Sequence, residues 1–411
     1  MLKQLVIENY RSCLHTKLNL HPRLSVLIGP NSSGKTNILQ AVMLLNKMAL
    51  EPEHSPGPIQ PAKIPSLLKA TFDFPRLEAR LRASLVLFTD ESNNDRILRS
   101  QQKWTFSSGK KKYQSDIPLA IAAPHQLYLD LHSTDRERYF FYRRHYARAF
   151  TASLPNSIMR RFHEIGAYCR GFRYYGASQF TNPANCPTSF QIEREAGHSS
   201  LQRIRGHAKI FYDMYLAYKS PHNEAYKQFI DVVGPRGLQL IDALTFGEVQ
   251  SSSTEYSVRV GGKVERRKRE NRLIIPQFKI GRQILSPNQL SEGTFKTLAL
   301  LFHLFRQDST ALFIEEPEVC VHHGLLASIL EIVKSASDRK QIILSTHSDY
   351  VLDHVKPENV FRITFDKSAG TIARQIRETM TSKEFAALRT YLDQQGNLGE
   401  YWREGGLGEH A

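Results

Sequence analysis

The sequence predicts an α/β fold whose two halves are separated by a long insertion, and three observations predict it. A strand, a Gly/Ser-rich turn and a helix follow one another over 24–50. The apolar runs TALFIEE and QIILSTH alternate with helical spacing in the last third. Between them, 51–285 shows short alternating runs and then helical periodicity. With 411 residues, and roughly 100–200 residues per domain, several lobes are expected. The division expected is an α/β core from 1–50 and 286–411, an antiparallel β lobe at 51–134, and a helical insertion at 135–285 ending in a basic hairpin.

Composition limits the classes open to such a chain. Hydrophobic residues make up 41% and charged residues 23%, a soluble balance, and no stretch approaches the roughly 18 uninterrupted apolar residues of a membrane span. The start, MLKQLVIENYRS, is charged where a signal peptide needs an apolar run. Cys13, Cys169, Cys186 and Cys320 have neither metal-site spacing nor disulfide density. A cytoplasmic protein with reduced thiols and no membrane partner is expected. Lys plus Arg number 55 against 40 Asp plus Glu, a formal +15, and a field of that sign attracts nucleic acid, nucleotides and acidic proteins alike.

The elements follow in order. LKQLVIENYRS and RLSVLIG read as strands and TNILQAVMLLNKMAL as a helix, with Pro and Gly marking a surface loop in EPEHSPGPIQPAKIP. ARLRASLVLFTDE, QKWTFSSGKKKYQSD and HQLYLDLHS alternate like strands of an antiparallel sheet. Helical spacing returns at about 135–164 and 199–233. The first of these stretches interleaves aromatics with Arg143, Arg144 and Arg148. STEYSVRVGGKVERRKRENRLIIPQF reads as a hairpin turning at Gly261 and Gly262, with Arg266, Arg267, Lys268 and Arg269 on its second arm. Phosphate contact and base stacking fit both basic stretches, and so do a core-facing aromatic stripe and a solvated charged face.

The chemistry-bearing residues begin with GPNSSGKT: Gly29, Pro30, Asn31, Ser32, Ser33, Gly34, Lys35 and Thr36, followed by Asn37. Strand before and helix after make this a phosphate-binding P-loop and the core a P-loop NTPase. The glycines let backbone N–H groups turn onto phosphates, the helix N-terminus adds partial positive charge, Lys35 reaches the β/γ-phosphates, and the Thr36 hydroxyl serves Mg2+. ALFIEEPE runs straight into two acids: Glu315 for the magnesium shell and Glu316 to orient and deprotonate the attacking water. Ser291, Glu292, Gly293 and Thr294 open an apolar-periodic helix, a pattern that serves as an N-cap and also as a site for the γ-phosphate of ATP held by a second subunit. His347, ending IILSTH, would contact the same phosphate.

In this order, GPNSSGKT, LSEGT, FIEEPE followed by His322, and STHS resemble an ABC-type ATPase head of the RecF/SMC/OLD kind. The resemblance covers about the first 50 residues and 290–365. It implies that Arg11, in IENYRS, lies near the nucleotide, and that Gln179, in FRYYGASQF, is the glutamine that senses magnesium. The closing segment, ENVFRITFDKSAGTIARQI with LGEYWREGGLGEH, is similar to stand-alone AAA-type, OLD-like ATPases that accompany effectors in bacterial antiphage systems. Glu292, Glu315 and Asp349 depart from commoner residues at their motif positions. No TOPRIM nuclease domain of the OLD kind is expected after His347.

The function expected is an ATPase using ATP and Mg2+. It would form a homodimer, or a higher oligomer, by sandwiching ATP between Lys35 of one subunit and Ser291 of the partner subunit. Hydrolysis would be relayed through the insertion to DNA or a separately encoded effector. The alternatives are a RecF-like repair ATPase loading on DNA and an ATP-stabilised, non-catalytic scaffold.

Overall fold

A computed structural model describes residues 1–50, 64–75, 77–89, 95–122, 154–195, 198–199, 206–220, 222–258, 264–319, 321–394 and 396–406. Along the chain run β1 (Leu2–Tyr10), β2 (Cys13–Asn19), β3 (Leu24–Ile28), α1 (Lys35–Leu50), β4 (Ser66–Phe74), β5 (Leu77–Thr89), β6 (Asp95–Ser108) and β7 (Lys111–Ser115). The middle holds α2 (Asn156–Arg170), β8 (Phe172–Gly176), β9 (Phe190–Glu195), β10 (His198–Ser199), α3 (His207–Lys219), α4 (Glu224–Val233), β11 (Ala243–Val258), β12 (Val264–Ile280) and β13 (Gln283–Leu285). The last third holds α5 (Glu292–Phe305), β14 (Ala311–Glu315), α6 (His323–Ser337), β15 (Gln341–Thr346), α7 (Asp349–Leu352), β16 (Val360–Asp366), β17 (Gly370–Gln375), α8 (Ile376–Thr379), α9 (Ser382–Asp393) and α10 (Leu398–Arg403).

One sheet has the order β17-β16-β3-β15-β14-β8. All its pairs are parallel except β16 with β17. Its strands read as continuous apolar runs because both faces are covered. On β14 the side chains alternate between two cores: Ala311 and Phe313 pack with α1, α2 and the antiparallel sheet, while Leu312 and Ile314 pack with α3 to α6. α2 earns its place in the first core by helical spacing, burying Ile158, Phe162, Ile165 and Cys169 on one stripe.

The strands cross the expected domain boundaries. β1 and β2 complete an antiparallel sheet of order β2-β1-β4-β5-β6-β7, so residues from the expected α/β core build the β lobe. β8, inside the expected helical insertion, pairs with β14 as an edge strand of the parallel sheet. The third sheet, β10-β9-β12-β11 with β13, adds strands to that insertion. Pairing partners are selected by burial over long separations, which a local periodicity does not encode.

The basic hairpin expected at 253–278 is present as the antiparallel pair β11 and β12. Its turn at Gly261 and Gly262 and the side chains of Arg266, Arg267, Lys268 and Arg269 lie outside the described residues. So do the Pro-rich stretch 51–63, the run HQLYLDLHS, Arg143, Arg144 and Arg148, and Cys320. No helix among the described residues is long and apolar enough to cross a membrane.

Candidate functional site

Four strands of the parallel sheet end at one edge. β3 leads from Ile28 into the P-loop, β15 ends at Thr346 before His347, β14 ends at Glu315, and β8 ends at Gly176. Thr346 pairs with Ile28, and Glu315 with both Ser345 and Gly176. β15 thus sits between the P-loop strand and the acidic strand, and the carboxyl ends of parallel strands are where such sheets place ligands.

The P-loop fits where it does because its glycines are small. A Cβ on Gly29 would lie 2.1 Å from the Ile363 carbonyl oxygen, and one on Gly34, at φ +101°, would lie 2.0 Å from Thr371 Oγ1. Ser32 also adopts positive φ, at 65°. Lys35 Nζ donates to the carbonyls of Gly29 at 2.7 Å and Pro30 at 2.9 Å. Burial lowers the Lys35 pKa, while the fields of Glu316, Glu318 and Glu315 oppose that shift. Thr36 donates through Oγ1 to Glu315 Oε1, and Tyr174 donates its hydroxyl to Glu315 Oε2. Burial and the Glu315 carboxylate push the Tyr174 phenol well above its ordinary value.

Glu316 has φ 48°, a backbone conformation of the sort found strained at functional sites. Its amide donates to the Ser345 carbonyl at 2.9 Å. His347 Nδ1 lies 3.8 Å from Glu316 Oε1 and 3.4 Å from Glu318 Oε1. The structure therefore gathers Lys35, Thr36, Glu315, Glu316 and His347 at one place. Arg11, at positive φ, donates to Gln40 on α1 and lies beside the Tyr10 ring. Gln179 is exposed, three residues past the end of β8, and its carbonyl contacts His207 Nε2 at 2.9 Å. The side-chain amide of Asn37 donates to Ser12 Oγ at 2.6 Å, a contact toward the β1–β2 turn.

Ser291 is not joined to this cluster among the described residues. It is exposed, caps α5 by accepting from the Thr294 amide at 3.2 Å, and its hydroxyl lies 2.8 Å from Thr294 Oγ1. Glu292 Oε1 lies 2.7 Å from Nζ of Lys296, a fully buried lysine. That nitrogen meets no hydrogen-bond geometry, so the contact is a Coulombic one. The departure at Glu292 thereby has a local use, since a buried ammonium without a counter-charge is costly.

Three contributors escape motif reading. Thr371, on β17, donates to the Ser33 carbonyl at 3.0 Å and meets Ser12 Oγ at 2.7 Å, clamping the P-loop from the far end of the chain. Tyr174 holds Glu315 from β8. Glu318 accepts from Thr346 Oγ1 at 2.6 Å and from the His347 amide at 3.1 Å. Only Glu318 had a sequence signal, its place in FIEEPE.

The donor set fits a nucleotide with magnesium. Ser33 Oγ, Ser345 Oγ and Glu318 Oε2 are buried without a hydrogen-bond partner, leaving polar capacity at this edge. Thr36 and Glu315 supply the hard oxygen ligands that Mg2+ prefers.

Comparison with known proteins bears on the same residues. A family model described as "AAA ATPase domain" matches 1–105. A second, described as "AAA domain, putative AbiEii toxin, Type IV TA system", matches 198–353. The chain is similar to the DNA replication and repair protein RecF of Rickettsia canadensis, 32% identical over 120 residues, covering 28% of this chain and 31% of that protein. The RecF of Lactococcus lactis subsp. cremoris is 46% identical over 44 residues, covering 11% of this chain and 12% of that protein. The chain thus matches well under two thirds of these relatives' length. Among solved structures, the SMC head domain from Thermotoga maritima aligns with TM-score 0.41 and 13% identity, covering 91% of this chain and 98% of that one. An SMC head bound to the C-winged helix domain of ScpA aligns with TM-score 0.43 and 11% identity, covering 92% and 98%. One family model thus covers the P-loop segment and the other the acidic strand and His347, and over these parts the chain is similar to AAA ATPase domains and to RecF proteins.

Proposed function

We propose that this protein is an ATP-hydrolysing switch that dimerises on ATP and passes its nucleotide state to DNA or to a separately encoded effector. The observation that carries the reading is an asymmetry. Lys35, Thr36, Glu315, Glu316 and His347 converge within one chain, whereas Ser291 is exposed and, among the described residues, its hydroxyl bonds only within its own helix turn. A second copy would bring its Ser291 helix N-terminus to the γ-phosphate, completing the site.

In that arrangement the P-loop amides and Lys35 hold the phosphates. Glu315 and Thr36 would hold Mg2+, which supplies charge neutralisation on the phosphate oxygens. Glu316 takes a proton from the attacking water, and His347 holds the γ-phosphate orientation. On this reading Gln179 would sense magnesium and Arg11 would lie near the nucleotide, as the family resemblance implies. The test is phosphate release: Glu316→Gln should lower turnover about 10²- to 10⁴-fold with ATP binding kept. Equal turnover in the variant and the wild type would refute the assignment. ATP binding without turnover in either would instead favour the non-catalytic scaffold.

The setting in antiphage defence rests on the resemblance of the closing segment to stand-alone ATPases that accompany effectors. Co-purification of a neighbouring gene product, unaffected by nuclease treatment, would support it.

A RecF-like DNA-loading role is the second reading, and one observation favours it. On the antiparallel sheet Lys17 opposes Val6, Val6 opposes Lys69, Lys69 opposes Arg82, and Arg82 opposes Lys103. This row over five strands holds four cations, with Val6 between Lys17 and Lys69. Glu8 neutralises Lys69 at 2.6 Å, but like charges directly opposite one another cost stability, and a polyanion would relieve that cost. Lys69, Arg82 and Lys103 line a concavity of about 1120 Å³. DNA affinity that falls steeply with salt, and falls further with Arg82→Glu plus Lys103→Glu, would establish this role.

A further inference from the structure

Glu318 presents a problem that its hydrogen bonds do not solve. Its side chain is only 10% exposed, so its charge sits in a costly place. Both donors that reach it, Thr346 Oγ1 and the His347 amide, go to Oε1. Oε2 is buried without a partner. A glutamine would accept the same two bonds without a buried charge, so bonding alone gives no reason for a carboxylate. The charge has two neighbours: its field acts on Lys35, and Oε1 lies 3.4 Å from His347 Nδ1.

The geometry also shows what Glu318 connects. It follows Glu316 by two residues, across a turn in which the Val319 amide donates to the Glu316 carbonyl at 3.2 Å. Its carboxylate reaches over to the end of β15, one strand away. A single side chain thus ties the acidic turn to the backbone and ring of His347. With Nδ1 facing carboxylates, Nε2 is the ring nitrogen left for a ligand. The His347 side chain is 46% exposed, so solvent borders much of the ring and Glu318 is a contact that can hold it.

We infer that Glu318 is a positioning residue that fixes the His347 backbone and ring against the acidic turn, so that the histidine meets the γ-phosphate already oriented. This deepens the ATPase reading and rests on it for its catalytic consequence. The mechanical part, the grip on His347, stands independently of nucleotide.

The test uses the full-length protein. Amide hydrogen exchange at His347, measured without nucleotide, should speed up about 10- to 100-fold in Glu318→Ala and change much less in Glu318→Gln, which keeps an oxygen acceptor. With ATP and Mg2+, Glu318→Ala should lower kcat about 10-fold or more while KM stays within about 2-fold. Combined with His347→Ala, it should lower kcat no further than His347→Ala alone. Unchanged His347 exchange in Glu318→Ala, a matching loss of ATP binding, or kcat losses that multiply in the double variant would each overturn the inference. If Glu318→Ala fails to fold, Glu318→Met, which keeps the length of the side chain without an oxygen acceptor, provides the same cycle with His347→Ala. A wild type that never releases phosphate would refute the ATPase reading, while the exchange result would still decide the grip on His347.

Discussion

The two edges of the parallel sheet both gather charged residues, and they use them oppositely. At the carboxyl edge, Lys35, Glu315, Glu316, Glu318 and His347 meet with buried oxygens left unpartnered. At the amino edge, Arg306 Nη1 donates to Asp213 at 2.6 Å and Arg306 Nη2 to Asp308 at 2.7 Å, and Arg173 Nη2 donates to the same Asp308 carboxylate at 2.7 Å. Lys340 Nζ donates to the Arg306 carbonyl at 2.7 Å. These ion pairs neutralise one another, with His303 Nδ1 beside them buried and without a partner, so the charges of the amino edge form a fastening. Charge clustering alone does not separate a site from a brace. The distinction lies in whether polar capacity remains open at the place where parallel strands present their ends.

The comparison breaks most sharply under substitution. Glu316→Gln should lower turnover about 10²- to 10⁴-fold and leave the thermal midpoint nearly unchanged. Arg306→Met should do the reverse. It leaves Asp213, a carboxylate 13% exposed, with Lys209 at 2.5 Å but without Arg306, so denaturant unfolding should show a loss of about 2 kcal/mol with kcat per folded molecule preserved. A turnover defect from Arg306→Met would erase the proposed division between the edges.

Acid titration sharpens it further. His303, buried on α5 near Arg306, has its pKa lowered from 6.5 to about 3, chiefly by burial. Between those values the unfolded chain takes up a proton that the folded chain refuses, so stability falls as pH drops below about 6. The slope from this one group approaches about 1.4 kcal/mol per pH unit, and His303→Leu should remove that share in parallel urea titrations. At the carboxyl edge a smaller effect is expected from Thr371→Val. Losing the hydroxyl that holds the Ser33 carbonyl should weaken ATP binding several-fold, about 1 kcal/mol by calorimetry.

Much of the carboxyl edge was legible because its residues are consecutive. GPNSSGKT, ALFIEE and IILSTH each join an apolar run to the residues that do the chemistry, and burial of a parallel strand leaves that pattern in the sequence. Tyr174, Thr371 and Ser12 left no such mark, since their contacts come from strand pairing across long separations. The same cause hid β2 and the membership of β8 in the parallel sheet. Gln179 shows the middle case: its motif is loose, and it lies exposed three residues past the end of β8 with its carbonyl on His207. The amino-edge network was invisible for a further reason: isolated Arg and Asp residues on separate elements carry no spacing rule.

The central claim is that the carboxyl edge is half a site, completed by the Ser291 helix of a second copy. The direct measurement is the mass of Glu316→Gln in solution with and without ATP and magnesium, alongside the Ser291→Arg plus Glu316→Gln variant. The account predicts a doubling of mass only with ATP, abolished by Ser291→Arg while each chain still binds nucleotide. A chain that stays monomeric with ATP bound, or a dimer indifferent to Ser291→Arg, would contradict it.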